Sequence, residues 1–468
     1  MASRPRCVLA LDQGTSATKA LAVSSQGEVI ARASAPLDVR HGSDGSAEIG
    51  ALEVWGSLQR ASNQVRATCD VDIVAVALAN QGESVLAWDD ADASPLSPVV
   101  VWSDQRSAGE CETRRHGATE MARRSGLRLD PYFSAPKMRW LRDRVPQGVV
   151  TTLDAWLIHR LTGTTATDVA TASRSLLTNL HTREYDEWLL DIWGWTDEVL
   201  AEIRPTGARV GECREFSAPL HSVMLDQPAA LLAHGCVEQS QAKLTLGTGA
   251  FLLVNSGSTP RGSTAGLTES VAWADGDDVA YCLDGQVFSV GSALEWLARV
   301  GIGPSTRDVV VGDDAGTVVC VPAFAGLASP WWRRDATGHF AGLTLSTTGA
   351  QMSRAVVEGI GAQVARVIEC VENDLGAPMT SLRVDGGLTR SPSVLRAVAD
   401  VLQRPLEVAD DADATARGVA AKAWYSLGEA ERNDRRHLVE VTTVVEPEWS
   451  AERAAEFLGR WNDVVESR

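Results

Sequence analysis

Short apolar runs separated by polar turns fill the first hundred residues. CVLALD (7–12), TKALAV (18–23), GEVIARAS (27–34), IVAVALA (73–79), SVLAW (84–88) and PVVVW (98–102) have the length and side-chain content of strands. One stretch breaks the pattern: Leu52, Val54, Trp55, Leu58, Ala61 and Val65 recur at helical spacing, which predicts a helix over 51–68. Strands, a helix and more strands make a mixed α/β unit. Residues 106–124, 134–145 and 152–162 then read as helical, and PTGARVGEC (205–213) reads as a cluster of turns. A second α/β half begins near residue 240. It holds KLTLGTGAFLLVNSG (243–257), an apolar run at 317–325, a helix over 349–374, a strand–turn–helix at 382–402 and an amphipathic helix at 449–466. With 468 residues the chain is long enough for two domains, drawn at 1–238 and 239–468, with a ligand cleft between them.

Within that pattern, two polar turns stand out because they share a plan. In LALDQGTSATKALAV (9–23), Gly14 joins two apolar runs and is followed by Thr15 and Ser16; in the second half, Gly247-Thr248-Gly249 does the same. Glycine lets the backbone bend so that N–H groups approach a polyphosphate, and the hydroxyls can donate to the same oxygens. Asp12 stands where a phosphate-bound magnesium needs an oxygen ligand, and Lys19 brings positive charge. The chain has only four lysines, at 19, 137, 243 and 422, among 43 basic residues, so a lysine in this turn is informative. A lone Gly-Thr-Ser turn is most often just a turn. The second copy points instead to a duplicated architecture that grips a nucleotide from both halves.

Three other segments carry candidate chemistry, each beside a plainer structural reading. VDGGLTRSP (384–392) puts a helix N-terminus behind two glycines, a phosphate or ribose site or a turn capped by Ser391. NQGE (80–83) follows an apolar strand, so its polar groups are placed either to read substrate hydroxyls or to form a surface turn. Asp226, in LDQPAALLAHG, opens a helical run and is either an N-cap or a base that accepts a proton from an attacking alcohol.

Composition narrows the field. A net charge of −18 opposes nucleic-acid and anionic-membrane partners, which leaves small molecules. The eight cysteines never form a C-x-x-C pair, as expected for reduced thiols in a cytoplasm. No apolar run of membrane-spanning length and no signal peptide are apparent. Eight histidines without metal-ligand spacing argue against zinc. P-loop and strand-linked G-x-G-x-x-G patterns are missing too.

Taken in order, LDQGTSATK, NQGESVLAWD, VVVWSDQRS, LDPYFSAPKMRWL, DAWLIHRLTG with TASRSLLTNLHT, LDQPAALLAHG, LGTGAF, VFSVGSALEWL, VPAFAGLASPWW and VDGGLTRSP resemble the FGGY carbohydrate kinases, and within them the glycerol kinases, over nearly the whole chain. The resemblance implies an actin-like ATPase fold of two RNase-H-like domains closing on ATP and magnesium. It makes Asp226 the catalytic base and sets Asp12 and Asp226 toward the metal. Thr15, Ser16 and Lys19 match the first phosphate loop, Thr248 and Gly249 the second. Gly291, Glu295, Gly387 and Ser391 fall at nucleotide-contact positions. Glu83, Trp102, Tyr132, Asp226, Gln227 and Phe251 fall at the acceptor pocket. The implied activity is ATP-dependent phosphorylation of a primary hydroxyl of glycerol or a related small polyol. A kinase for another sugar, ketose or sugar acid is the alternative, and a non-catalytic actin-like nucleotide-binding module is the rival of another class. Two departures matter. Gly82 replaces the arginine of the glycerol-kinase NQRE motif, which loses a guanidinium fork and is expected to gain space for a larger or differently oriented polyol. Segment 205–224 is short for the loop that binds a sugar-bisphosphate inhibitor in some bacterial glycerol kinases. The preferred acceptor, its stereochemistry and the oligomer, a homodimer included, are left open.

Overall fold

The computed structural model describes residues 4–302, 314–409, 411–431, 434 and 439–466. Two large twisted sheets organise it, each started by one of the Gly-Thr hairpins. In the first sheet the strands run in the order Arg209–Cys213, Ala218–Leu225, Asp72–Asn80, Arg6–Gln13, Ala17–Val23, Val29–Pro36. In the second the order is Thr268–Asp275, Asp278–Val287, Ala250–Gly257, Gln241–Leu246, Ser381–Asp385, Leu406–Val408, Thr443–Val445.

The two sheets follow one plan. Each hairpin is antiparallel, and its first strand then pairs in parallel with a strand that arrives after a long helix. A parallel neighbour needs such a crossover, and helices Ala51–Thr68 and Gly349–Leu375 supply it. Glu53 accepts the Gly50 N–H at 2.9 Å where the first begins, while Thr348 and Gln351 form a capping box for the second. This repeat is the two-domain α/β architecture expected of the actin-like fold.

Between the sheets lie helices Asp226–Ala233 and Ala414–Ser426, sharing an apolar cluster with both hairpins: Val8, Ala10 and Leu21 from one side, Leu253, Ala272 and Trp273 from the other. The helices approach so closely that a Cβ on Gly418 would collide with the Ala229 carbonyl. That contact fixes the helix that begins at Asp226. A smaller five-stranded sheet, with helix Ser134–Arg142 on its face, builds one end of the first half.

One sequence expectation needs correction. Arg209–Cys213, read as turns, is a strand, because it pairs antiparallel with Ala218–Leu225 at the sheet edge. The apolar run 317–325 contains only the three-residue strand Val319–Val321. Elements that were also unforeseen include strand Ala218–Leu225, the hairpin of Thr268–Asp275 and Asp278–Val287, and helix Ala414–Ser426. That helix carries apolar residues on most sides because it is sandwiched; even Lys422 is buried, held 2.9 Å from Asp278. All eight cysteines are free. Among the described residues no helix is long and apolar enough to cross a membrane.

Candidate active site

The first hairpin closes through the Gly14 N–H donating to the Ala17 carbonyl at 3.0 Å, with Asp12 opposite Lys19. Asp12 is the next-to-last residue of a strand buried from Cys7 onward, so burial lifts its carboxyl to about 6, against the pull of Lys19. The Lys19 ammonium crosses the cleft and donates to the Ala412 carbonyl of the second half. Ser16 is exposed at the tip. Thr15 points inward: its hydroxyl accepts from the Trp102 indole N–H at 3.0 Å and lies 3.2 Å from Gln81 Oε1.

Beneath this turn is a cavity of about 180 Å³, and it gathers every residue assigned to the acceptor. Glu83, Trp102, Tyr132, Asp226 and Gln227 come from the first half and Phe251 from the second, with Thr15 at the rim. Asp226 is the first residue of its helix, with Leu225 as the N-cap; its Oδ1 accepts the Gln227 N–H at 2.7 Å. Burial, then the neighbouring carboxylates Glu83 and Asp12, push the Asp226 carboxyl up to about 7. The nearness of Asp12 to Asp226 joins the hairpin to the cavity. Glu83 adopts a left-handed backbone, φ 57°, a strained conformation of the kind that clusters at functional sites. Tyr132 packs edge-on to Trp102 with ring centres 5.6 Å apart. Its loop is pinned by Lys137, whose buried ammonium donates to the carbonyls of Pro131, Tyr132 and Phe133 at 2.5–2.9 Å. That role accounts for the lysine in YFSAPKMRWL.

Three features in or beside the cavity were not foreseen from sequence. Arg174 is buried and donates to Glu83 Oε1 at 2.5 Å and to Asp284 Oδ2 at 2.9 Å, a triad spanning both halves. Burial opposes its charge, but the two carboxylates outweigh that and hold its pKa well above the ordinary value. TASRSLLTN was noticed as a motif, yet nothing local tells which of its residues turns inward. Lys243, also buried, donates to Gln227 Oε1 at 3.1 Å and to the Thr245 hydroxyl at 2.6 Å and lies 3.6 Å from Asp385. The scarcity of lysine could have flagged it. Lastly, the space expected at Gly82 is occupied: a Cβ there would lie 2.6 Å from Leu225 Cδ1.

The second hairpin turn is locked from behind. Gly247 and Thr248 carbonyls accept the N–H groups of Gly291 at 2.9 Å and Val290 at 3.0 Å. A Cβ on Gly249 would sit 2.7 Å from the Val287 carbonyl oxygen, and one on Gly291 would sit 2.6 Å from the Gly247 carbonyl oxygen. Thr248 is exposed at the tip, and Glu295 is exposed on helix Gly291–Arg299. Gly386, at φ 100°, passes 2.5 Å, measured from where its Cβ would be, from the Leu246 carbonyl oxygen, while Gly387 has open space where a side chain would go. Ser391 is buried and caps helix Pro392–Leu402 by accepting the Val394 N–H at 3.4 Å. Thus Thr248, Gly249 and Gly291 form one group beside Gly386 and Gly387. Ser16, Glu295 and Ser391 lie outside the acceptor cavity.

Residues 7–228 match the N-terminal domain of the FGGY family of carbohydrate kinases, and residues 242–427 match its C-terminal domain. The chain is 37% identical over 439 residues to a glycerol kinase of Gloeobacter violaceus, covering 90% of this chain and 88% of that one. It is 37% identical to a glycerol kinase of Thermus brockianus, with coverage of 90% and 91%. Among solved structures, the glycerol kinase of Plasmodium falciparum with ADP superposes with a TM-score of 0.92 at 26% identity, covering 100% and 99%. A ligand-bound xylulose kinase from Lactobacillus acidophilus shares the fold at a TM-score of 0.88 and 20% identity, covering 99% and 98%.

Proposed function

Because the chain belongs to the FGGY family of carbohydrate kinases, we propose that it transfers the γ-phosphoryl group of ATP to a primary hydroxyl of glycerol or a related small polyol, with Asp226 as general base. The observation that carries this reading is the single cavity in which Asp226, the first-half hydroxyl readers and Phe251, just past the second hairpin turn, meet.

Asp226 has the two properties a base needs here. It faces the acceptor cavity, and a pKa near 7 balances the fraction ionised against proton affinity. The acceptor hydroxyl gives its proton to the Asp226 carboxylate as the oxygen attacks phosphorus. Gln227, held by Lys243, and Glu83, held by Arg174, fix the remaining hydroxyls. Such positioning supplies much of the rate of a phosphoryl transfer, in which little covalent work falls to the protein.

The residues present fit a magnesium triphosphate. Among the described residues no group of three metal-ligating side chains occurs. A phosphate-bound magnesium needs only one or two carboxylates, since phosphates and water fill its other positions; Asp12 and Asp226 would hold it, and the ion would neutralise charge on the phosphates. Thr15, Ser16 and Lys19 would take the phosphates from one side, Thr248 and Gly249 from the other. Gly291, Glu295, Gly387 and Ser391 form the adenosine side in this reading, and the open space at Gly387 is suited to a base or ribose lying against backbone. The boundary near residue 238 falls between the two matched domains, and closure of the two halves would exclude water.

A coupled assay of ADP release tests the reading on glycerol, erythritol, ribitol, xylulose and gluconate. Glycerol or erythritol should accelerate release well above the acceptor-free rate. Acceleration by xylulose or gluconate alone would move the assignment to another sugar, and none at all would leave a nucleotide-binding module.

A further inference from the structure

The lining of the acceptor cavity mixes the polar groups of Glu83, Asp226, Gln227, Arg174 and Asp284 with hydrocarbon, and beside Gly82 the hydrocarbon is Leu225, only 4% exposed. The backbone of Leu225 is held in place. It pairs with Asn80 in the sheet and caps the helix that starts at Asp226, and the Leu225 Cδ1 fills the space over Gly82. Any side chain at position 82 would meet that methyl group within 2.6 Å at its first carbon. The leucine methyl group occupies the space that a side chain at 82 would use, so in this arrangement the glycine and the leucine are a matched pair. Where an arginine at 82 would have offered N–H donors, the acceptor meets methyl groups.

We propose that Gly82 and Leu225 together determine acceptor choice, selecting a small polyol that presents hydrocarbon, not a hydroxyl, to this wall: a deoxy-polyol one hydroxyl short of the fully hydroxylated chain. The inference rests on the kinase reading above and narrows its substrate class. The physical ground is asymmetric. A hydroxyl turned to Leu225 gives up water and finds no partner. A site that must hydrogen-bond a hydroxyl rejects the analogue without it by about 10⁴-fold or more, whereas a hydrocarbon wall has no unpaired donor to penalise the loss. The pair also limits size, since the room left by the arginine is taken up by Leu225.

The test compares kcat/KM for glycerol with that for propane-1,2-diol and propane-1,3-diol, which each lack one hydroxyl. The wild-type enzyme should use one of the diols within about tenfold of glycerol, or better. In Gly82→Arg/Leu225→Gly, that diol should fall by about 100-fold or more relative to glycerol, because donors now stand where the wall was. Leu225→Ala, a milder change, should shift the ratio the same way by a few fold, and it serves if the double variant does not fold. Rejection of both diols by about 10⁴-fold in the wild type, or an unchanged ratio in both variants, would overturn the proposal. If no acceptor at all is phosphorylated, the kinase reading fails separately. In that case calorimetric affinities of the diols and glycerol for the protein with ADP decide on the wall alone, the same ratios supporting or sinking it.

Discussion

The two Gly-Thr hairpins occupy equivalent places in equivalent sheets, yet they are chemically unequal. Two residues before its glycine the first carries Asp12; the second carries Thr245 at the matching place, with its hydroxyl tied to Lys243. Both turns are held at backbone carbonyls, Ser16 by the Leu37 N–H and Gly247 and Thr248 by Gly291 and Val290, but the first adds contacts of its own side chains, Lys19 to Ala412 and Thr15 to Trp102. The two turns share one shape, and in the proposed mechanism only the first carries the charges for a metal and an acceptor. In the second half the charges went elsewhere, into the Lys243–Asp385–His234 cluster, where burial would raise the Asp385 carboxyl but Lys243 and His234 outweigh it and hold the pKa low.

The strongest way to break this comparison is at the carboxylate that lines the acceptor cavity beside the first turn, Asp226. Asp226→Asn should lose about 10²–10⁴-fold in turnover while calorimetry shows ADP bound as before. The same variant should melt higher at pH 8 by about 1–2 kcal/mol. The sign follows from linkage: the folded protein raises this carboxyl from 3.8 to about 7, so its ionisation costs folding free energy as pH climbs through that window. Unchanged turnover would remove Asp226 from the mechanism. Next comes the matched pair. Asp12→Asn should reduce turnover by about 100-fold and weaken the dependence on added magnesium, and Thr245→Ala by less than about tenfold. Equal losses would mean that the hairpins share the work after all.

A third effect is read in the pH profile. With Asp226 required as carboxylate, kcat/KM should fall about tenfold per pH unit below about 7 and level off above it. A flat profile between pH 5 and 8 would contradict a base with a raised pKa. The smallest effect contrasts the glycines. Gly249→Ala, whose Cβ would meet a backbone carbonyl oxygen at 2.7 Å, should destabilise by about 1–3 kcal/mol; Gly14→Ala, with 3.2 Å to its nearest atom, should cost under about 1 kcal/mol. Thermal melts of the two variants check the order.

What the sequence determined by itself was local. A glycine between two apolar runs reads as a hairpin because chain bending and strand periodicity act over a few residues, so both turns, helix 51–68 and the placement of Asp12, Glu83 and Asp226 at the ends of regular elements were legible. Tertiary structure alone decided which polar groups meet. Arg174 is 91 residues from Glu83 and 110 from Asp284, and Leu225 faces Gly82 across the sheet. No periodicity links positions so far apart. Helix 414–426 escaped notice for a related reason: an element buried on most of its faces has no polar side to reveal its period. The chemistry of the pocket was therefore written in residue types, but its shape arises only when distant parts of the chain pack together, Leu225 over Gly82 within the first half and Phe251, Leu253 and Asp284 from the second.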